Sequence, residues 1–214
     1  MPSLASLLAF AALSVGLALT PGPNLLYLVS RSLTQGTRAG MVSLIGCQAG
    51  SLVIMLGAAA GITAALLAVP YAYDAMRLGG AGYLAWLAWL AWQSVRPGGA
   101  ALFSPRPIPP EGGLRLFSLG FATAALNPKV ALFYVAVLPA FMDPERGSLF
   151  MQGLVLGAIQ IGICTIFDAL IVAGAGGVSR LLSARPVWLA VQRWVLGAAL
   201  ALLAVKLLTA DSRA

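Results

Sequence analysis

The sequence predicts an all-α integral membrane protein with six transmembrane helices, and three observations support that prediction. Hydrophobic residues make up 60% of the 214 residues and charged residues only 9%, whereas ordinary globular domains carry about 25% charged residues. The mean hydropathy is +0.94. The apolar residues form long stretches without the period-2 alternation that is typical of barrel strands. This composition excludes a soluble enzyme, a secreted disulfide scaffold and a free nucleic-acid-binding domain.

Six apolar segments are separated by charged or Pro/Gly-rich residues, and each is long enough for the ~20 residues that a bilayer core requires. The segments cover residues 4–30, 39–69, 71–95, 114–139, 148–176 and 187–208. A Pro/Gly-rich linker, residues 96–113, separates a first half (1–95) from a second half (114–214). Because each half contains three helices, the second half enters the membrane from the opposite side. The sequence therefore predicts two inverted three-helix repeats.

Two further patterns concern the repeat and its orientation. Residues 44–50 (LIGCQAG) resemble residues 156–162 (LGAIQIG), and each run has a glutamine followed two residues later by glycine. Basic residues concentrate in the first, third and fifth predicted loops, which hold Arg31, Arg38, Arg96, Arg106, Arg115, Arg180 and Arg185. The second and fourth loops hold Arg77 and Arg146. Because cytoplasmic loops carry the excess of basic residues, we expect a cytoplasmic linker and two periplasmic termini.

The first predicted span is interrupted by the run Thr20, Pro21, Gly22, Pro23 and Asn24. Two prolines remove backbone donors and clash with the preceding turn, so the helix must kink or break there. A passive proline kink is one interpretation. Backbone carbonyls freed at that depth must be satisfied by protein, water or a ligand. A Pro-Gly-Pro run flanked by Thr and Asn is more than a kink needs, so we favour a broken helix that lines a cavity.

The fourth span is interrupted in a related place by Asn127, Pro128 and Lys129. Lys129 lies about 22 Å from the predicted cytoplasmic end at a rise of ~1.5 Å per residue. A charged side chain at that depth is costly and often marks a functional site. The alternative is a lysine that extends to the outer headgroups.

Asp168 is the acidic residue placed well inside a predicted span, and the same helical rise puts it near the depth of Lys129. We expect Lys129 and Asp168 to interact in at least one state, as a coupling pair or, alternatively, as a static structural ion pair. Gln160 lies two helical turns before Asp168 on roughly the same face. Gln48, at the matching position of the second span, completes the candidate site.

Metal and cofactor chemistry is not expected from this sequence. It contains no histidine and two cysteines, Cys47 and Cys164, which both lie in apolar stretches and are interpreted as packing residues. The pairs Gly46/Gly50 and Gly153/Gly157 have the spacing that allows helices to approach closely. Phosphate-binding loops and nucleophile elbows are also missing from the sequence.

Several motifs together resemble the lysine exporter (LysE/RhtB) family of bacterial amino-acid exporters. Residues 20–27 (TPGPNLLY), with Arg31 and the run 36–40 (GTRAG), resemble its first signature. The second signature is matched from Gly120 through residues 126–133 (LNPKVALF) to 138–141 (LPAF). Residues 80–84 and 167–170 also fit. The resemblance implies efflux of amino acids or small derivatives across the bacterial plasma membrane, driven by a proton or cation gradient.

A secondary exporter therefore explains the sequence best, with proton antiport as the expected coupling. A membrane-embedded enzyme would need a nucleophile or metal cluster, and a small-solute channel would need rings of polar residues along one helix face. The expected partners are an amino acid, the coupling proton and the lipid bilayer, with a homodimer as a possible assembly and no nucleic acid.

Overall fold

The computed structural model describes residues 1–19, 22–69 and 109–174, together with residue 71 and scattered positions between 74 and 89 and between 194 and 209. These residues contain helices and turns and no β-strand. The helices are α1 (Leu4–Leu19), α2 (Pro23–Gln35), α3 (Thr37–Ala68), α4 (Gly113–Ala125), α5 (Pro128–Val137) and α6 (Leu149–Ala173). Two 3₁₀ turns, Leu138–Phe141 and Pro144–Arg146, connect α5 to α6.

Helices α3 and α6 are each long and apolar enough to cross a membrane. The pair α1 and α2, bent by 52°, and the pair α4 and α5, bent by 41°, reach that length only when each pair is taken as one span. The predicted interruptions of the first and fourth spans are thus confirmed. The third and sixth predicted spans, 71–95 and 187–208, lie mostly outside the described residues. The six-helix inverted repeat and the division into halves remain predictions.

The predicted first loop is wrong, because α2 and α3 are joined by Gly36 alone. Its φ of 86° is a left-handed conformation that glycine adopts at little cost, so one residue can reverse the chain between two helices. Arg31 therefore lies inside α2, where it is 4% exposed, and Arg38 lies in the first turn of α3. The Arg31 guanidinium is held over the ring of Tyr27, 5.6 Å from its centroid.

Side chains of α2 also bind the end of the linker and the first turn of α4. One stripe of the helix, at intervals of four residues, donates to backbone carbonyls before and within α4. Tyr27 Oη donates to Leu116 at 2.8 Å, Arg31 Nη1 to Pro109 at 3.2 Å and Gln35 Nε2 to Glu111 at 3.1 Å. These bonds extend along α2 from its second turn to its last residue.

Helix α3 is the centre of the packing, and glycines allow the close contacts. A Cβ at Gly46 or Gly50 would collide with the carbonyl oxygens of Phe117 and Phe121 in α4. A Cβ at Gly120 would in turn collide with the carbonyl oxygen of Ser43. On the other side of α3, a Cβ at Gly153 would come 3.0 Å from the Ala59 Cβ, and one at Gly157 would collide with Met55. The predicted packing role of these glycine pairs is confirmed.

The turn between α5 and α6 is held by Gln152, which is fully buried. Its side-chain oxygen accepts from the Asp143 backbone N–H at 2.9 Å, and its Nε2 donates to the carbonyls of Asp143 at 2.7 Å and Gly147 at 3.2 Å. One amide therefore satisfies three backbone groups of an irregular segment. This fixes the position at which α6 begins.

Candidate functional site

The two helix breaks meet in the structure. Asn127 Nδ2 donates to Asn24 Oδ1 at 3.1 Å, so residues 103 positions apart in the chain join the two interruptions. Both new helices begin with proline, Pro23 in α2 and Pro128 in α5. Proline suits that position because its missing N–H would have no partner in the first helical turn.

Asn127 uses both ends of its amide. Its side-chain oxygen accepts from the Lys129 backbone N–H at 3.0 Å and so caps α5, while its NH₂ group bonds to Asn24. Asn127 is 3% exposed, and a buried amide is stable only when its polar atoms are bonded. The same residue therefore starts α5 and attaches it to α2.

Lys129 extends from the first turn of α5 to the end of α1. Its Nζ donates to the Leu17 carbonyl at 3.0 Å. Because α1 ends at Leu19, this carbonyl belongs to the last turn of the helix, where carbonyls lack intrahelical partners and the dipole favours a cation. Gly22 gives the lysine room, since a Cβ there would lie 3.3 Å from Lys129 Cδ and 3.5 Å from Nζ.

Helices α3 and α6 contribute the other polar groups of the site. Gln48 Nε2 of α3 lies 3.5 Å from Asp168 Oδ2 of α6, at the limit of a hydrogen bond. Gln160, Cys164 and Asp168 follow each other at intervals of four residues, so they share one face of α6. Gln160 is 2% exposed, and its Nε2 donates to Cys164 Sγ at 3.1 Å.

These groups line a cavity of about 50 Å³. Its lining comes from every described helix except α4, and consists of Leu17, Ala18, Gly22, Asn24, Leu25, Gln48, Ser51, Asn127, Lys129, Val130, Gln160, Cys164 and Asp168. One water occupies roughly 10–15 Å³ on this measure, so the space holds only a few water molecules. The cavity thus combines one ammonium group, one carboxylate and several amides with a short apolar wall.

The candidate residues from the sequence have three different outcomes. Gly22, Asn24, Gln48, Asn127, Lys129, Gln160 and Asp168 all line the cavity. Pro23 and Pro128 are exposed and start helices beside it without lining it. Thr20 and Pro21 lie outside the described residues. Direct pairing of Lys129 with Asp168, and the function of each lining residue, remain predictions.

Several residues that the structure brings to the site were not predicted from the sequence to belong to it. Ser51 lies one turn after Gln48, and Cys164 lies one turn from both Gln160 and Asp168, so helical spacing alone could have indicated them. Cys164 packs half-buried against the core, as predicted, and it also lines the cavity. Cys47 is fully buried in the core, as predicted. Tyr134, which bonds to Gln160, has no comparable signal in the sequence.

Comparison with known proteins decides the class of this site. The sequence matches the family model of the LysE type translocator over residues 15–211. The chain belongs to the LysE translocator family. It is therefore a membrane transporter rather than an enzyme.

Among relatives of this translocator is a leucine efflux protein of Enterobacter sp. (strain 638), which is 25% identical over 176 residues, 79% of each chain. Another is a leucine efflux protein of Salmonella typhimurium (strain LT2), which is 26% identical over 167 residues, 76% of each chain. No solved structure matches the sequence.

Proposed function

We propose that this translocator exports neutral amino acids, with leucine as the first candidate, across the bacterial plasma membrane in exchange for protons. Membership of the LysE family and the two leucine efflux relatives support export of an amino acid. The observation that carries the proposal is the cavity where the two helix breaks meet, because its charges match those of a zwitterion.

The match is one of opposite charges on two helices that line the cavity, Lys129 on α5 and Asp168 on α6. The carboxylate of Asp168 binds the α-ammonium group of the amino acid, and the ammonium group of Lys129 binds its α-carboxylate. The amide of Gln160 adds a hydrogen-bond donor. Asp168 and Lys129 are the only charged residues in the described lining. Both pair with the α-ammonium and α-carboxylate groups of the substrate, so neither is left to pair with a charged substrate side chain. Leu17, Leu25 and Val130 give that side chain an apolar wall.

Transport requires the site to open. At about 50 Å³ the cavity is smaller than leucine, so substrate binding requires its walls to move apart. The breaks allow α1 and α2, and likewise α4 and α5, to move as separate rigid segments. Alternate separation of the segments on each side would expose the cavity first to the cytoplasm and then to the periplasm.

Proton exchange follows from competition for Asp168. On the outer side the substrate ammonium group leaves the carboxylate, and a proton takes its place. On the inner side the proton leaves, and the ammonium group of a new substrate binds. Each cycle then moves one amino acid outward and one proton inward, with Asp168 neutralised in both loaded states. In the empty deprotonated state, Lys129 is the partner that stabilises the carboxylate.

Proteoliposomes test this proposal. Vesicles that contain the protein and labelled L-leucine should lose label faster when the exterior is acidified, and the interior should acidify in parallel. Asp168→Asn should lose the dependence of leucine efflux on the proton gradient. Because Asp168 also binds the substrate ammonium group, the KM for leucine-for-leucine exchange should rise. The matched control is Asp143→Asn, which changes a carboxylate in the turn before α6, outside the cavity.

Two results would contradict the proposal. Gradient-driven efflux by Asp168→Asn at the wild-type rate would remove Asp168 as the coupling group. A carrier returns across the membrane faster with substrate bound, so leucine on the opposite side stimulates leucine flux. A flux that is not stimulated in this way would indicate a channel.

A further inference from the structure

A buried tyrosine that does not line the cavity is hydrogen-bonded to a glutamine that does. Tyr134 lies in α5 and is fully buried, and its hydroxyl donates to Gln160 Oε1 at 2.5 Å. Gln160 in turn donates through Nε2 to Cys164 Sγ at 3.1 Å. The chain of contacts therefore leads from the core, through Gln160, to the wall of the cavity.

The hydroxyl of Tyr134 determines which way the Gln160 amide faces. In the described part of the chain, Gln160 is the one hydrogen-bond partner of this hydroxyl. With the amide oxygen toward Tyr134, the phenolic proton is bonded. If the amide turned over, its NH₂ group would face the phenolic oxygen, and the buried phenolic proton would have no acceptor among the described residues. A thiol is too weak a donor for Cys164 to compensate by bonding to the reversed amide oxygen.

The consequence is a donor at the cavity wall. An amide NH₂ group carries two N–H bonds, and in the described structure one of those in Gln160 is used by Cys164. The second N–H has no partner among the described residues, while the side chain is 2% exposed and lines the cavity. A buried donor without a partner is costly, and a carboxylate oxygen would satisfy it with a charge-assisted bond.

We propose that Tyr134 is a positioning residue that holds the Gln160 amide with its free N–H toward the carboxylate of the transported amino acid. Tyr134 itself does not touch the substrate. With Tyr134 in place the amide selects for a negatively charged group at this position; with the amide reversed, its oxygen would repel that group. This inference rests on the proposed function, because it assigns one substrate contact within the proposed site.

The test is Tyr134→Phe, which removes the hydroxyl and keeps the ring that packs edge-on against Phe133. We expect the KM for L-leucine in proteoliposome counterflow to rise about two- to tenfold, the effect of one hydrogen bond, with the maximal rate unchanged. A merely structural role would lower the amount of active protein, and so the maximal rate, at constant KM. Tyr27→Phe is the matched control, since its hydroxyl donates to the Leu116 carbonyl away from the cavity; its KM should stay at the wild-type value.

A second measurement tests the carboxylate contact and does not depend on the maximal rate. Inhibition of leucine counterflow by 3-methylbutylamine, which is leucine without its carboxylate, should be equally strong in wild type and Tyr134→Phe. In a Gln160→Leu background, Tyr134→Phe should have no further effect on the KM for leucine.

The outcomes separate this inference from the function on which it rests. If the wild-type protein does not transport leucine, the proposed function fails for that substrate. If leucine is transported and Tyr134→Phe leaves its KM unchanged, only the role of Tyr134 fails. Equal weakening of leucine and 3-methylbutylamine, or a full additional effect in Gln160→Leu, would also overturn that role.

Discussion

The amide of Asn127 offers the sharpest test of how the two helix breaks are held together. Asn127→Ala removes two bonds at once: the cap on the Lys129 backbone N–H at 3.0 Å and the bond to Asn24 at 3.1 Å. Asn24→Ala removes only the second. Comparison of the two variants therefore separates the cost of starting α5 from the cost of joining α5 to α2.

The expected magnitudes follow from these bonds. Loss of an N-cap side chain costs about 0.5–2 kcal/mol, and hydrogen bonds between membrane helices average about 0.6 kcal/mol. Asn127→Ala should thus lower the free energy of unfolding by about 1–3 kcal/mol. Asn24→Ala should lower it by about 0.6 kcal/mol, the shared bond alone. The double variant should lose no more than Asn127→Ala, because the shared bond can be lost only once.

The assay is reversible unfolding of the purified protein in mixed detergent micelles, followed by circular dichroism. Ser148→Ala is the matched control for the cap, because Ser148 caps α6 through a longer bond of 3.4 Å to the Met151 backbone N–H, away from the cavity. It should cost less than Asn127→Ala and leave transport intact. Fully additive losses in the double variant would refute the Asn24–Asn127 bond. Equal losses in Ser148→Ala and Asn127→Ala would show that this bond adds nothing to the cost of losing a cap.

Three further changes have defined outcomes. Asp168→Asn should fold normally and lose proton-driven efflux, measured in proteoliposomes, because an amide cannot carry the proton; wild-type gradient dependence would contradict this. Lys129→Ala should lower the melting temperature more than Asp168→Asn, because it frees the Leu17 carbonyl and removes the proposed ammonium partner of Asp168. The double change should recover stability relative to Lys129→Ala but should not recover transport. A double variant less stable than Lys129→Ala would argue against that electrostatic link. Gly120→Ala should destabilise by about 1–3 kcal/mol through collision with the Ser43 carbonyl. Gly57→Ala, whose Cβ would meet none of the described residues within 4 Å, should not lower the melting temperature.

Much of this architecture could be predicted because lipid imposes simple constraints on sequence. Long apolar runs must be helical, and the prolines at 23 and 128 had to interrupt two of them. The polar residues of the breaks were recognisable for the same reason, since an unbonded amide or ammonium group inside an apolar span is costly. Gln160 and Asp168 could be placed on one helix face from their spacing alone.

The remaining features depend on contacts between distant segments. Arg31 resembled a loop residue, because nothing in the adjacent sequence indicates that it would bond to a backbone carbonyl 78 positions later. The Asn24–Asn127 bond depends on how α2 crosses α5, which no local pattern specifies. Tyr134 is a single hydroxyl in an apolar helix, and only the position of α6 gives it a partner. Cys164, by contrast, could have been found from its place between two candidate residues.

The central claim is that the cavity at the two breaks binds the transported amino acid, and Cys164 provides a native reporter of its occupancy. Cys164 lines the cavity, and Cys47 is fully buried. Replacement of Cys47 by alanine (Cys47→Ala) leaves Cys164 as the one cysteine of the sequence. The measurement is the rate at which a small methanethiosulfonate reagent modifies Cys164 in protein that transports leucine. Saturating L-leucine should slow that rate at concentrations near its KM, and 3-methylbutylamine should slow it more weakly. An unchanged rate of modification at saturating leucine would place the transport site elsewhere.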